Sequence, residues 1–432
     1  MNETSQLAAC LARLTWSPER LARELNRKCG AGTISSKAPY NWLKGARPRR
    51  RLPQLVADVL SEHLGERVTV QELWPGHGAK PATCPTAASP ATHPAPGPPA
   101  TADPVLASVD WLIAGDPKPP ERLRGVEVPG MAVEMLAARI QQLRGLDENA
   151  DSRLVMEWAL QDLQWVRKLT TGYAYDAATG VRLHRIAAEL GQLAGWLAAD
   201  LGLEARSRTC FLDALEAART AGDRSLAAYI ISCMSYRSAW VGRGEEALRL
   251  IRIARTGAAH EATGLEQALL ATRQARAHAS LGEVKDCEKT LVEAAELTVA
   301  APPADAAWAY WLSPAVMVAD AGRAWLEIGQ PKRAEWHLAR GIELLGDGQP
   351  RNRLLHWTSL SEARLARLEV DGAAEAAAEA LNLAERVTSL RANLRLAALR
   401  RQFRQYDTAV ARQIVQRSEE LLGRGGPLRA VC

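Results

Sequence analysis

The 432-residue chain is expected to be an all-α protein in two folded parts joined by a spacer, and three observations predict it. Alanine, leucine and arginine dominate, while Phe occurs 2 times and Tyr 7 times, a composition that favours helices over strands. From His77 to Pro104 the chain places Pro81, Pro85, Pro90, Pro94, Pro96, Pro98, Pro99 and Pro104 among Ala, Thr and Gly, which can neither continue a helix nor bury a core. Beyond it, from Met131 to about Leu422, the apolar pattern is helical almost throughout and it repeats. The expected organisation is a helical bundle over residues 1–76, a Pro/Ala-rich linker over 77–130 and a helical repeat domain over 131–422.

In the first part, Ser17-Pro18-Glu19 combines an N-cap, a proline at the first helical position and an acid in the first turn, and predicts a helix to about Lys28 with Leu21, Ala22 and Leu25 facing inward. Ser35 or Ser36 caps a short helix from Ser36 through Lys44 that stops at Gly45, with Trp42 and Leu43 as core anchors and Tyr40 assigned to core or surface. A third helix runs from about Leu52 to Leu64, and a last short one from Val70 to Trp74. The piece Val109 to Ile113 within the linker either docks back onto a domain or stays loose.

The repeat unit is defined by the turns at Gly202, Gly242, Gly282 and Gly329, spaced by 40, 40 and 47 residues. Seven residues before each glycine stands a small side chain, Gly195, Ser235, Ala275 or Gly322, and five after it Ser207, Ala247, Cys287 or Ala334. Nine after it comes a large apolar residue, Phe211, Ile251, Leu291 or Leu338, and twelve after it Ala214, Ala254, Ala294 or Gly341. These are the knobs and holes of a helical hairpin. A fifth copy is placed with its turn at Asp371, Ala376 and Ala380 in register and Arg364 in the small position. The pattern of small, turn, small, large and small residues resembles the tetratricopeptide repeats, which implies an α-solenoid of stacked hairpins.

Charge is uneven. Residues 1–76 hold 12 Lys+Arg against 7 Asp+Glu, so of the 54 basic and 49 acidic residues the remainder carries 42 of each. An Arg-rich turn, Arg47, Arg49, Arg50 and Arg51, follows the short helix, and the segment Tyr40 to Pro48 resembles the lambda-repressor-like (XRE-type) helix-turn-helix domain. Joined through a Pro-rich linker to tetratricopeptide-like repeats, it is similar to multidomain transcriptional regulators of filamentous soil bacteria, although about eight residues, Arg27 to Ile34, replace the tight turn between the two helices. That resemblance implies double-stranded DNA as a partner. Lys37, Tyr40, Asn41 and Lys44 would face the major groove, and Arg47, Arg49, Arg50 and Arg51 would grip phosphates. Homodimers would then read two half-sites. In the tetratricopeptide register the concave face includes Glu189, Gln192, Trp196, Tyr229, Ser232, Tyr236, Thr272, Arg276 and Arg323, suited to a peptide, small-molecule or protein effector or, equally, to packing between helices. Trp308, Trp311, Trp325, Trp336 and Trp357 are assigned chiefly to packing.

The alternative is a tetratricopeptide-type interaction scaffold without sequence-specific DNA binding. The seven scattered cysteines and eight dispersed histidines form no metal-ligand spacing, and no phosphate loop or nucleophile elbow is present, so neither an enzyme nor a metal or cofactor is expected. With no apolar stretch near 18 residues and no leader pattern, a cytoplasmic location is expected.

Overall fold

In the computed structural model, the residues described are 6–14, 16–29, 34–43, 46, 48, 52–64, 68–74, 103–147, 152–300, 307–387 and 389–424. They divide into two compact units, one ending at residue 74 and the other starting at residue 103.

The first unit contains α1 (Gln6–Arg13), α2 (Pro18–Cys29), α3 (Ala38–Leu43), α4 (Leu52–Leu64) and α5 (Val70–Leu73). Two helix starts have a local cause in their side chains. Ser17 accepts the Arg20 N–H at 3.3 Å to start α2, and Thr69 and Glu72 form a capping box at α5. Leu21, Leu25, Trp42, Val56, Leu60 and Trp74 close the core, with Trp42 and Trp74 edge-to-face at 6.4 Å. The long connection after α2 is closed by Asn26, whose side chain accepts the Ile34 N–H at 2.7 Å and donates to the Ile34 carbonyl at 2.8 Å. Tyr40 lies on the surface, not in the core: it is 41% exposed and its hydroxyl donates to the Glu19 carboxylate.

The second unit is a tetratricopeptide-like stack of helical hairpins: α7 (Gly130–Asp147) with α8 (Ser152–Gly172), α9 (Ala177–Asp200) with α10 (Glu204–Ala221), α11 (Arg224–Trp240) with α12 (Gly244–Gly257), α13 (Gly264–Ser280) with α14 (Val284–Ala300), α15 (Pro314–Glu327) with α16 (Pro331–Leu345), α17 (Pro350–Ala366) with α18 (Val370–Ala384), and α19 (Leu390–Phe403) with α20 (Ala409–Arg424). It is preceded by α6 (Pro104–Ile113). Gly202, Gly242, Gly282 and Gly329 all turn in the left-handed region, with φ of 72°, 80°, 71° and 73°. The expected knobs Phe211, Ile251, Leu291 and Leu338 are buried, as are the small residues opposite. Close approach is enforced there. A Cβ on Gly195 would come 2.9 Å from the Phe211 ring, and one on Gly341 would come 2.5 Å from the Ala319 Cβ. Where the small residue is serine, its hydroxyl ties the two helices: Ser207 donates to the Gly195 carbonyl, Ser235 to Ala247 and Ser361 to Ala373.

One expectation is corrected, and of two readings left open for the segment before the repeats, docked or loose, one is found. The fifth turn sits at Leu368, φ 64°, three residues before Asp371, so its small pair is Ser361 and Ala373. A leucine in the glycine position hid the register. The chain after Asp103, assigned to the linker on composition, packs on the repeats: Trp111 of α6 is 2% exposed and lies against Gly257, where a Cβ would come 2.2 Å from its ring. The following stretch pairs by backbone bridges, Arg122 with Tyr175 and Glu127 with Ala174. Eight prolines masked one docking helix. Among the described residues no helix is long and apolar enough to cross a membrane.

Candidate functional site

The first helix of each hairpin turns its polar side chains towards a shared concave axis, and the helices curl tightly enough for the stack's ends to meet across it. Arg351 of α17 donates to the Asp147 carboxylate of α7 at 2.9 Å and to its carbonyl at 2.6 Å, over 204 residues of sequence. Asp200 at the end of α9 lies 3.5 Å from Arg351 Nε and 3.0 Å from Arg391 Nε of α19. These pairs lie around a cavity of about 80 Å³ on the concave face.

Of the residues expected on that face, Gln192, Trp196, Tyr229, Tyr236 and Arg323 line the cavity. Glu189 is one step removed, held by Arg144 at 2.7 Å. Ser232 and Thr272 are buried and donate to the carbonyls of their own helices at Tyr229 and Ala268, so they serve packing. Arg276 pairs with Glu327 at 2.8 Å. Sequence reasoning missed Arg144, Asp147, Arg273, Asp320, Arg351 and Arg391, all lining groups. Arg351 lies seventeen residues before the Leu368 turn, outside the offsets that mark the concave face, and Arg391 lies on a hairpin beyond the last turn read from the sequence.

Two tyrosines organise the floor. Tyr229 stacks on Trp308 at 4.1 Å and its hydroxyl accepts from Trp311 Nε1 at 3.1 Å. Tyr236 accepts from Arg323 Nη1 at 2.6 Å and from Arg391 Nη1 at 3.3 Å, while the Arg273 guanidinium sits 3.8 Å from its ring centre. Burial acts to raise its hydroxyl, but Arg323 and Arg391, helped by Arg273 against Asp320, override it and bring it down to about 7. Tyr229, lacking such partners at its oxygen, is pushed well above the usual range, chiefly by burial. Tyr310 (46% exposed) and Trp311 stand at the rim, with Arg144 5.5 Å from the Tyr310 ring centre. Trp308 and Trp325 are buried packing groups, whereas Trp336, expected to pack, is 64% exposed.

His278, Glu283 and Asp286 at the α13–α14 turn bring three ligand atoms close enough for a cation, but Glu283 already bonds His278 Nδ1 at 2.6 Å and Gln274 bonds Nε2 at 3.2 Å. The four described cysteine side chains, Cys10, Cys210, Cys233 and Cys287, are buried free thiols; burial pushes Cys210 and Cys233 up to about 11 and Cys287 to about 12. In the first unit Lys37 and Asn41 are exposed and Tyr40 is engaged by Glu19. Lys44, Arg47, Arg49, Arg50 and Arg51 lie outside the described residues.

The family profile that matches is that of the SP15 N-terminal domain, over residues 7–74. It replaces the lambda-repressor-like (XRE-type) assignment made from the turn and its arginines; the long Asn26-closed connection is where this chain departs from that motif. No curated protein sequence matches the chain. Among solved structures, BtubC (BKLC) from P. vanneervenii is similar, at 16% identity and a TM-score of 0.39, over 54% of this chain and 91% of that one. The nearly identical TPR-like repeats of a Podosopora anserina chain of kinesin light chain type match at 15% identity and a TM-score of 0.35, over 47% of this chain and 98% of that one.

Proposed function

We propose that the chain is an interaction protein whose repeat unit captures a partner segment or ligand in the concave cavity, the second of the two functions the sequence suggested. One observation carries it: arginines, tyrosines, carboxylates and Gln192 from α7, α9, α11, α13, α15, α17 and α19 converge on one cavity. Burying so many polar groups costs stability, and a packing role needs none of them, since apolar side chains of similar volume hold helices at least as well. Cavities that combine aromatic walls with a few convergent polar groups are where ligands bind.

Selection of a random peptide library on the full-length chain tests this. The expected result is enrichment of related sequences that lose about tenfold or more in affinity on Trp196→Ala or on Asn352→Ala at the rim. Enrichment indifferent to both variants, or no binding of either peptides or small aromatic acids, overturns it.

The second reading, duplex DNA binding by the first unit, is favoured by the excess of 12 basic over 7 acidic residues in residues 1–76 and by exposed Lys37 and Asn41. Passing the same chain over random duplex DNA decides it. Retention that falls steeply with salt supports it, and free passage at low salt rejects it.

A further inference from the structure

We propose that the floor of the concave cavity receives a single oxyanion carried on a flat apolar body, with Arg273 as the cation that meets it and Trp196 and Trp311 as walls for the body. The inference rests on the cavity being a binding site and adds the chemistry of its occupant.

Of the five arginines that line the cavity, four are answered within the protein. Arg144 has Glu189, Arg351 has Asp147 and Asp200, Arg391 has Asp200, and Arg323 has Tyr236 and, at 3.7 Å, Asp320. Arg273 is different. It is 4% exposed, its Nε has no hydrogen-bond partner, and among the described residues its close contacts are the faces of Tyr236 at 3.8 Å and Trp311 at 6.0 Å. Nε is unpartnered in Arg323, Arg351 and Arg391 as well, but each of those has an Nη hydrogen bond or a carboxylate within 4.0 Å, whereas a ring face stabilises the Arg273 guanidinium only partly. Arg273 shares Asp320 with Arg323 at longer range and makes no ion pair within 4.0 Å among the described residues, so an anion at this point would add the direct partner that the fold omits.

Charge count and size set the class of ligand. Arg144, Arg273, Arg323, Arg351 and Arg391 line the cavity against Asp147 and Asp320, with Glu189 and Asp200 behind them, so the site is net positive and favours an anion of low charge. The fall of the Tyr236 hydroxyl to about 7 reports the same positive field. About 80 Å³ holds a handful of water molecules, and so one head group and not a peptide's length. Trp196, Trp311 and Tyr310 line the same cavity and supply its aromatic surface. A carboxylate on an aromatic ring combines these properties.

Titration of the full-length chain with benzoate, acetate, benzyl alcohol and N-acetylphenylalanine, followed by calorimetry, tests the assignment. Benzoate or N-acetylphenylalanine is expected to bind, with acetate and benzyl alcohol each weaker by about tenfold or more, because one lacks the body and the other the charge. Tighter binding of N-acetylphenylalanine assigns the anion to a peptide's terminal residue, and tighter binding of benzoate to a free aromatic acid; both sustain the proposal. In Arg273→Met binding falls about tenfold or more while the melting temperature holds or rises, since an unanswered buried charge has been removed. A lower melting temperature with unchanged affinity makes Arg273 structural and overturns the proposal. Peptides selected without any acidic group, yet sensitive to Trp196→Ala, would overturn it while leaving the cavity's role as a binding site intact.

Discussion

The helices of the repeat unit each present two faces that follow opposite rules. On the seam between the helices of a hairpin, contacts are small, dry and local: Ser207 reaches Gly195, Ser235 reaches Ala247 and Ser361 reaches Ala373, each twelve residues away in sequence. On the concave axis they are large, charged and remote, with Arg144 and Glu189 separated by 45 residues, Tyr236 and Arg391 by 155, and Asp147 and Arg351 by 204. The seam recurs because the two helices of each of these hairpins close on each other at the same offsets from their turn. The axis does not recur. Its identity changes from hairpin to hairpin, as expected of a surface shaped for one occupant and not for stacking.

The strongest way to break this contrast is at Asp200. Its side chain is 2% exposed and stands between Arg351 and Arg391, so among the described residues Asp200→Ala leaves Arg391 without a carboxylate within 4.0 Å and Arg351 with Asp147 alone. Loss of one partner from a buried ionic group costs about 3 to 5 kcal/mol. Urea unfolding followed by far-ultraviolet circular dichroism should show that loss. A cost near the 1 kcal/mol scale of a surface pair would mean that water reaches the axis and that its charges are ordinary surface charges.

His356 sharpens the same point through pH. It is 2% exposed, neither ring nitrogen has a hydrogen-bond partner, and burial, with Arg323, Arg391 and Arg395 against Asp320, holds it down to about 4 from an ordinary 6.5. Because the folded state disfavours the proton, the stability tied to the neutral ring is fully present above pH 6.5 and is lost as pH falls through the window down to about 4. The full loss is about 3 kcal/mol. His356→Leu should flatten the stability curve across that window relative to the parent chain. Parallel curves for the two would place the imidazole in contact with solvent.

The same contrast explains what could be read in advance. Hairpin pairing was legible because Gly195, Ser207, Phe211 and Ala214 stand at fixed offsets from Gly202, and steric demands at those offsets repeat three more times. Gln192, Trp196, Tyr229, Tyr236 and Arg323 were legible too, since they follow from the same register. Arg273 shares α13 with Thr272 and Arg276 and was passed over for its neighbours. Arg351 and Arg391 could not be placed, because their partners are set by how far the stack curls, which no local spacing encodes. In the first unit the charge excess was plain while the family was not: an arginine run fits several helical bundles, and the connection closed by Asn26 carries no periodic signal.

The turns give the smallest effects and the cleanest comparison, because one position is filled in two ways. Gly242 has φ 80° with open space where a Cβ would be, so Gly242→Ala adds backbone strain without a clash. Its cost is about 1 kcal/mol. Leu368 holds the equivalent position at φ 64° and is 77% exposed, so its side chain contributes little packing to offset the same strain. Leu368→Gly therefore removes the strain at the expense of a more flexible unfolded chain, and a net gain of a few tenths to about 1 kcal/mol is expected. Opposite signs for the two substitutions, read from thermal unfolding of each variant, make the fifth turn a true member of the series. If Leu368→Gly destabilises instead, the leucine has a contact role the glycine turns lack, and the series ends at Gly329.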